Sequence, residues 1–448
     1  MEDKVLKEYM DLLRYESVGA DPSHLRDCVS CASWLRKWLG ALDFKAELLY
    51  PKQEKDALLP PPVLFAERPG SEEAATVLVY GHYDVQPADP LAEWKTPPFE
   101  PTVVDGRVYC RGANDDKGQM FALLCGMRDY LAADGSKLNI KIVLDGQEES
   151  GSGALTALAP DMRRRLAADV LLVCDTSAAA DLRPAIVAGL RGVAHFTLRV
   201  TGPNRDLHSG EYGGISPNPA QGLAELLASL HHPDGSIAVA GFRDGIEPPS
   251  HDELAAAEAG TPSEEDFAAD IGCDPAGGQM GKTIAQRNSF EPTIEVNGIH
   301  TGYGGPGSKT VIPSEAIAKI SMRLVPGQSP RGAFAAVRTH LDDRCPKGMK
   351  LSFEEVNHGT PAFRLPLASP VFRLAADVLS EMDGRGALFQ WDGASIHVLS
   401  VLREASGAAP LIVGWGQAED RIHSPNESYS IAQFDKAREW ARRILSAL

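Results

Sequence analysis

Two histidines and a series of grouped carboxylates hold the chemistry of this sequence. His82 and Asp84 stand two residues apart behind the apolar run 76–80. Asp145, Glu148 and Glu149 follow the run 140–144, Asp175 follows 170–174, and His423 lies in the loop beyond 411–415. Asp115 and Asp116 precede a helical pattern that begins at Lys117, where the positive end of the helix dipole favours ionised carboxylates. Each piece alone has an ordinary reading, as a hydrogen-bonded loop pair or a solvated acidic turn. Together they would place several ionised carboxylates near one another, which is unfavourable unless a cation neutralises them. Imidazole nitrogens combined with carboxylate oxygens form the mixed donor set of a divalent metal site.

Such residues need a scaffold that delivers several strand ends to one edge. The runs 76–80, 140–144, 170–174 and 411–415 are continuously apolar or nearly so, the pattern of strands buried on both faces of a parallel sheet. In open α/β sheets the carboxyl edge is where ligands bind. Helical periodicity marks 4–15, 24–42, 154–166, 371–382 and 431–445, and Met120, Leu123, Leu124, Met127 and Leu131 mark the buried side of the helix from Lys117. The character changes near Gly189. Segments 195–200, 293–296, 316–325 and 349–356 alternate as strands with one wet face, and 217–230 and 333–341 are helical. That is a smaller α+β unit of antiparallel strands and two helices. The expected organisation is a catalytic domain in two parts, 1–188 and 364–448, interrupted by an inserted α+β domain at 189–363.

A length of 448 residues allows one very large domain or two to three ordinary ones. The net charge of -17 argues against nucleic acid or an anionic membrane as partner. Seven cysteines form no regular framework. Cys110, Cys125 and Cys174 lie in or beside apolar segments as buried thiols, and Cys28 and Cys31 sit inside a helical pattern with no second pair to complete a zinc or redox site. The start is charged and amphipathic rather than an apolar leader, and no apolar run approaches roughly 20 residues. These features lead us to expect a cytoplasmic protein without a membrane span.

Eight motifs in order resemble one known family. They are Gly81-His82-Tyr83-Asp84-Val85-Gln86-Pro87, Gly112-Ala113-Asn114-Asp115-Asp116-Lys117-Gly118, Glu148-Glu149-Ser150-Gly151-Ser152 and Asp206-Leu207-His208-Ser209-Gly210, followed by Asn297-Gly298-Ile299, Lys309-Thr310-Val311-Ile312-Pro313, Arg323-Leu324-Val325-Pro326 and His423-Ser424-Pro425-Asn426-Glu427. The chain is similar to the dinuclear-zinc exopeptidases: carnosinase, cytosolic non-specific dipeptidase, carboxypeptidase G and aminoacylase. The long insert at 231–290 resembles the dipeptidase branch. The resemblance implies an α/β fold with a mostly parallel, zinc-exopeptidase-like sheet flanked by helices, and an inserted α+β lid or dimerisation domain. It implies two divalent ions per subunit, zinc with manganese or cobalt as alternatives. His82, Asp115 and Asp175 would hold one ion, and Asp115, Glu149 and His423 the other, with Asp115 bridging and a cis bond between Asp115 and Asp116. Asp84 would fix the His82 ring, and Glu148 would be the general base. The sequence alone does not separate Glu148 from Glu149: one must bind and the other stay free.

By the same resemblance, two ions about 3.5–4 Å apart would polarise an amide carbonyl and activate a water. His208 would donate to the oxyanion from the partner subunit, implying a homodimer through the inserted domain. Arg323 would bind the substrate's terminal carboxylate, a task suited to a guanidinium, with Thr310 nearby and Gly393 and Ser395 lining the pocket. Where dipeptidase relatives read Arg-Glu-Gly-Gly-Ser-Ile-Pro, this chain reads Trp391-Asp392-Gly393-Ala394-Ser395-Ile396-His397. That departure makes substrate preference the open question. The expected substrates are dipeptides or short peptides with a free carboxylate. N-acyl or N-carbamoyl amino acids are the alternative within the same chemistry, and a non-catalytic scaffold is the alternative outside it.

Overall fold

In the computed structural model of the protein, residues 1–52, 58–134, 137–179, 181–393 and 396–448 are described. They divide into two compact units: Met1–Ala188 with Pro366–Phe389 and Ile396–Leu448, and Gly189–Leu365 with Gln390–Ser395.

The first unit is built on a sheet whose centre is apolar on both faces. Strands Asn139–Asp145, Thr76–His82, Val170–Val173 and Ala409–Gly414 lie side by side in that order and run parallel. All of Val170–Val173 is buried, as is every residue of Thr76–His82 after the first. Continuous burial explains why these runs lack the alternation of a half-exposed strand. The expectation of a mostly parallel sheet holds only for these four. Val63–Arg68 adds antiparallel to Asn139–Asp145, Lys45–Leu49 antiparallel to Val63–Arg68, and Ala185–Leu190 antiparallel to Ala409–Gly414. The sheet is therefore mixed. Parallel neighbours need a crossover of a dozen or more residues; the connections 69–75, from Val63–Arg68 to Thr76–His82, and 174–184, from Val170–Val173 to Ala185–Leu190, are shorter and reverse the chain.

Helices Lys117–Asp134 and Ile431–Ala447 pack against one another. Gly126 permits their approach: a Cβ there would stand 2.2 Å from the Arg438 carbonyl oxygen and 2.5 Å from the Ala441 Cβ. Tyr9, Phe121 and Phe434 form an aromatic cluster beside them, with Tyr9 and Phe434 ring centres 5.0 Å apart. Helices Gly153–Leu166 and His397–Ser406 form a second packed pair. The strand Ala185–Leu190 and the helix His397–Ser406 lie outside the sequence expectation, although AIVAGL is as apolar as the runs that were recognised. A small sheet of Thr102–Val104, Arg107–Tyr109 and Ser428–Ser430 joins the segment before Asp115 to the segment after His423.

The second unit is a four-stranded antiparallel sheet in the order Thr293–Thr301, Glu315–Leu324, Gly192–Thr201, Lys350–Thr360. Alternate residues of Glu315–Leu324 are buried, as expected for one packed and one wet face. Phe196, Leu198, Ile320 and Met322 meet Leu223 and Leu226 of helix Pro219–Ala228 and Phe334 and Val337 of helix Pro330–Asp342 in one core. Among the described residues no helix is long and apolar enough to cross a membrane.

Candidate metal centre

Parallel pairing brings the strand ends of the first unit together. His82 closes its strand opposite Asp145, and Tyr80 pairs with Val173, so Asp175 emerges beside His82. Glu148 and Glu149 form a short turn just past Asp145, and Asp115 stands at the entry to helix Lys117–Asp134. His423 comes from the loop after Ala409–Gly414, where Arg421, His423 and Asn426 all adopt left-handed backbone angles of 55°, 60° and 65°. Non-glycine residues persist in that region only where the surroundings hold them, a frequent feature of functional loops.

The side chains form two groups. In His82, Asp115 and Asp175, and again in Asp115, Glu149 and His423, one potential ligand atom per residue lies within 4.8 Å of the others. Asp115 belongs to both. Its Oδ1 is 3.1 Å from His82 Nε2, and its Oδ2 is 2.8 Å from His423 Nε2. His82 Nε2 is 3.9 Å from Asp175 Oδ2, and His423 Nε2 is 3.2 Å from Glu149 Oε1. Ligands around a tetrahedral ion with bonds of roughly 2.1 Å stand roughly 3.4 Å apart, so the spacing and the donor set both suit a small divalent cation. The peptide bond between Asp115 and Asp116 is cis.

The electrostatics agree with the spacing. Burial raises the Asp175 carboxyl well above its ordinary range, and the charges of Asp115, Glu148 and Glu149 push it further. Burial, together with Glu149, Asp84 and Asp115, lifts Glu148 to about 7 against the influence of His82. Asp115 moves the other way. Despite burial, hydrogen bonds from His423 and His82 hold it far below a normal carboxyl. His423 rises to about 10 through hydrogen bonds to Asp115 and Glu149. Carboxyl groups kept protonated by burial and mutual repulsion, and imidazoles that hold their protons against them, form a site that a divalent cation relieves.

Asp84 does more than orient a ring. His82 Nδ1 is 3.1 Å from the Asp84 backbone oxygen and 3.4 Å from its Oδ1. The Asp84 carboxylate also accepts the backbone N–H groups of Glu148 and Glu149, each at 3.1 Å. Glu149 is held further by Gln86, whose Nε2 donates to Oε2 at 2.7 Å. Gln86 lies within the motif Gly81–Pro87, but nothing in its type or spacing marks it as a partner of Glu149. Glu148 belongs to neither ligand group, so the acidic pair divides into Glu149 within a group and Glu148 beside it.

The remaining candidates lie in the second unit. His208 is exposed and pairs with Val311 across a short ladder. Its Nδ1 accepts the Gly210 N–H at 2.9 Å, which leaves Nε2 to carry the proton of a neutral ring, with the Thr310 hydroxyl 3.5 Å away. Arg323 stands on Glu315–Leu324 between Val193 and Thr293. The Arg191 guanidinium is drawn down to about 10 by burial and then by the charge of Arg323, and its Nε donates to the Gly393 carbonyl at 3.0 Å. Ser395 lies outside the described residues.

Comparison with known proteins places this geometry in context. The sequence pattern of peptidase family M20/M25/M40 matches residues 78–447. A human Beta-Ala-His dipeptidase is 30% identical over 372 residues, covering 82% of this chain and 73% of its own. A Cys-Gly metallodipeptidase, dug1, from Schizosaccharomyces pombe is 29% identical over 409 residues, covering 89% and 85%. Among solved structures, the M20 family metallo-carboxypeptidase Sso-CP2 from Sulfolobus solfataricus superposes with a TM-score of 0.86 at 27% identity, covering 99% of each chain.

Proposed function

This chain belongs to peptidase family M20/M25/M40, and from that premise we propose that it hydrolyses the amide bond of dipeptides or short peptides with a free terminal carboxylate. The observation that carries the reading is Asp115, with one carboxylate oxygen turned to each histidine and Glu148 beside both groups but in neither. His82, Asp115 and Asp175 would hold one divalent ion and Asp115, Glu149 and His423 a second, with zinc as the ion and manganese or cobalt as alternatives. Bound there, the pair would polarise the scissile carbonyl and make water acidic enough to attack near neutral pH.

The chain's own residues supply the proton transfers. A Glu148 carboxylate oxygen takes the proton from the attacking water and delivers it to the amide nitrogen as the C–N bond breaks. Its elevated pKa, about 7, suits a group that must both accept and return a proton near neutrality. Asp84 keeps the Glu148–Glu149 turn in register with His82. His208 Nε2–H would donate to the oxyanion, and the neutral tautomer held by Gly210 supports that assignment. Arg323, supported by Thr310, would bind the terminal carboxylate, and Gly393 and Ser395 would line the same pocket. Arg323→Ala should then raise KM for dipeptides with metal content unchanged.

The inserted unit is proposed as the lid and the dimerisation surface. Its edge strand Thr293–Thr301 leaves Val296 and Ile299 exposed, 42% and 54%, on an edge that can accept another strand. Sedimentation as a monomer at micromolar concentration would reject this. Seven free cysteines fit a reducing compartment such as the cytoplasm, which fractionation can check.

The decisive experiment loads the protein with metal and offers dipeptides beside N-acyl and N-carbamoyl amino acids. Cleavage of dipeptides is expected, and Glu148→Gln should lower kcat by about 10²–10⁴-fold with both ions retained. Exclusive turnover of acylated amino acids would move the assignment to the amidohydrolases of the same family. No turnover of any substrate by fully loaded protein would defeat the proposal.

A further inference from the structure

We infer that Glu427 is a positioning residue for the metal centre: its buried carboxylate fixes the loop carrying Asp115 to the loop carrying His423. The inference rests on the two-ion reading above and concerns a residue that reading does not use.

Glu427 is fully buried. Its Oε2 accepts from Arg111 Nη1 at 2.8 Å and from the Gly112 N–H at 3.0 Å. Its Oε1 accepts the N–H groups of Asn114 at 3.0 Å and Asp115 at 3.2 Å. Four donors of one loop therefore converge on one carboxylate, and the last of them is the amide of the shared ligand residue. The Glu427 backbone carbonyl also accepts the Cys110 N–H at 3.1 Å. His423 lies four residues upstream. The Arg111 Nη2 reaches Pro87 O at 3.1 Å, in the loop that leaves His82 and Asp84. That contact lies in the loop beyond His82, which itself belongs to the strand Thr76–His82, so the segments that Glu427 joins directly are those presenting Asp115 and His423.

The chemistry calls for a carboxylate. Two oxygens facing four donors satisfy every one, whereas an amide would turn its own N–H groups toward two of them. A buried Arg–Glu pair is a poor source of stability, because apolar replacements often match it, and this one leaves Arg111 Nε without a hydrogen-bond partner among the described residues. What the pair provides is a defined geometry. Asp420 adds a second tie of the same kind, accepting from Asn114 Nδ2 at 2.6 Å and pairing with Arg107.

The two ion positions depend on this tie unequally. Asp115 and His423, two of the three ligands of the second group, sit on the segments Glu427 joins. The first group has only Asp115 there, and His82 and Asp175 rest on the sheet.

The test is titration of metal-free protein with Co2+ alone, followed by calorimetry and by the visible ligand-field spectrum, for wild type and Glu427→Gln. Wild type should take up two equivalents. In the variant the second equivalent should weaken by on the order of 10–100-fold, the usual effect of removing an outer partner of a ligand, and the first by much less. Glu427→Asp, which keeps the charge opposite Arg111 but withdraws it from Asn114 and Asp115, should show the same split and serves if the amide variant does not fold. Equal weakening of both equivalents, or of neither, overturns the inference while leaving the two-ion reading intact. A wild-type protein that binds fewer than two equivalents defeats both.

Discussion

Replacing Asp84 with asparagine tests how the acidic turn is held. Asp84 is fully buried, and its two oxygens each accept one backbone N–H, from Glu148 and Glu149, both at 3.1 Å. Asparagine keeps one acceptor and sets an NH2 group against the other donor. A hydrogen bond to a charged group contributes about 1.5–3 kcal/mol, and the stranded buried N–H costs about 1–3 kcal/mol more. Relief of repulsion offsets part of this, since the Asp84 charge helps to raise Glu148. The expected net loss is about 2–4 kcal/mol, a large share of the roughly 5–15 kcal/mol that holds a typical domain. Displacing Glu149 should also weaken metal binding by about 10–100-fold. Urea unfolding followed by tryptophan fluorescence reads the correct unit, because Trp34, Trp38, Trp94, Trp415 and Trp440 all lie in it. An Asp84→Asn protein within about 0.5 kcal/mol of wild type, the range of an inconsequential surface change, with unaltered metal affinity, would refute the reasoning.

Three further outcomes follow from the same geometry. Metal affinity should rise with pH, because burial and neighbouring charge hold Asp175 protonated and hydrogen bonds to Asp115 and Glu149 keep the proton on His423 up to about 10; each of these two must lose its proton as a cation enters. Calorimetry near about pH 6 in two buffers of different ionisation enthalpy should register release of about one proton or more per ion, and zero release contradicts the electrostatic account. Gly118→Ala would drive a Cβ to 1.9 Å from the Ala113 carbonyl oxygen, a backbone atom that moves only if the loop bearing Asp115 moves; thermal unfolding should show a loss of about 1–3 kcal/mol or more, and a wild-type melting temperature would mean the loop is free to yield. His208→Ala removes an exposed side chain, so circular dichroism should be unchanged while kcat falls about 10²–10³-fold; a change confined to KM would assign His208 to binding instead.

Much of this centre is legible in the chain itself. Apolar runs leading to His82, Asp175 and the Glu148–Glu149 pair declare strand ends, because a strand buried on both faces carries few polar residues before its end. The dipole-facing position of Asp115 follows from the helical pattern after it. Other features are invisible in one dimension. Residues 63–68 and 185–190 resemble central strands in composition yet pair antiparallel, since the direction of pairing depends on the length and path of connections rather than on side chains. Glu148 and Glu149 are chemically equal neighbours, and only the fold turns one into a ligand group with His423 and leaves the other beside it.

Residue types and their order were therefore enough to point to a divalent metal site at a sheet edge, because donor atoms and apolar periodicity are properties of the chain, and the eight ordered motifs carried the resemblance to the family. Which oxygen of Asp115 faces which histidine was decided only by tertiary structure, as was the convergence of four N–H donors from residues 111–115 on Glu427. Both depend on contacts between segments more than 300 positions apart, such as Asp115 with His423, and packing alone brings such segments within hydrogen-bonding distance.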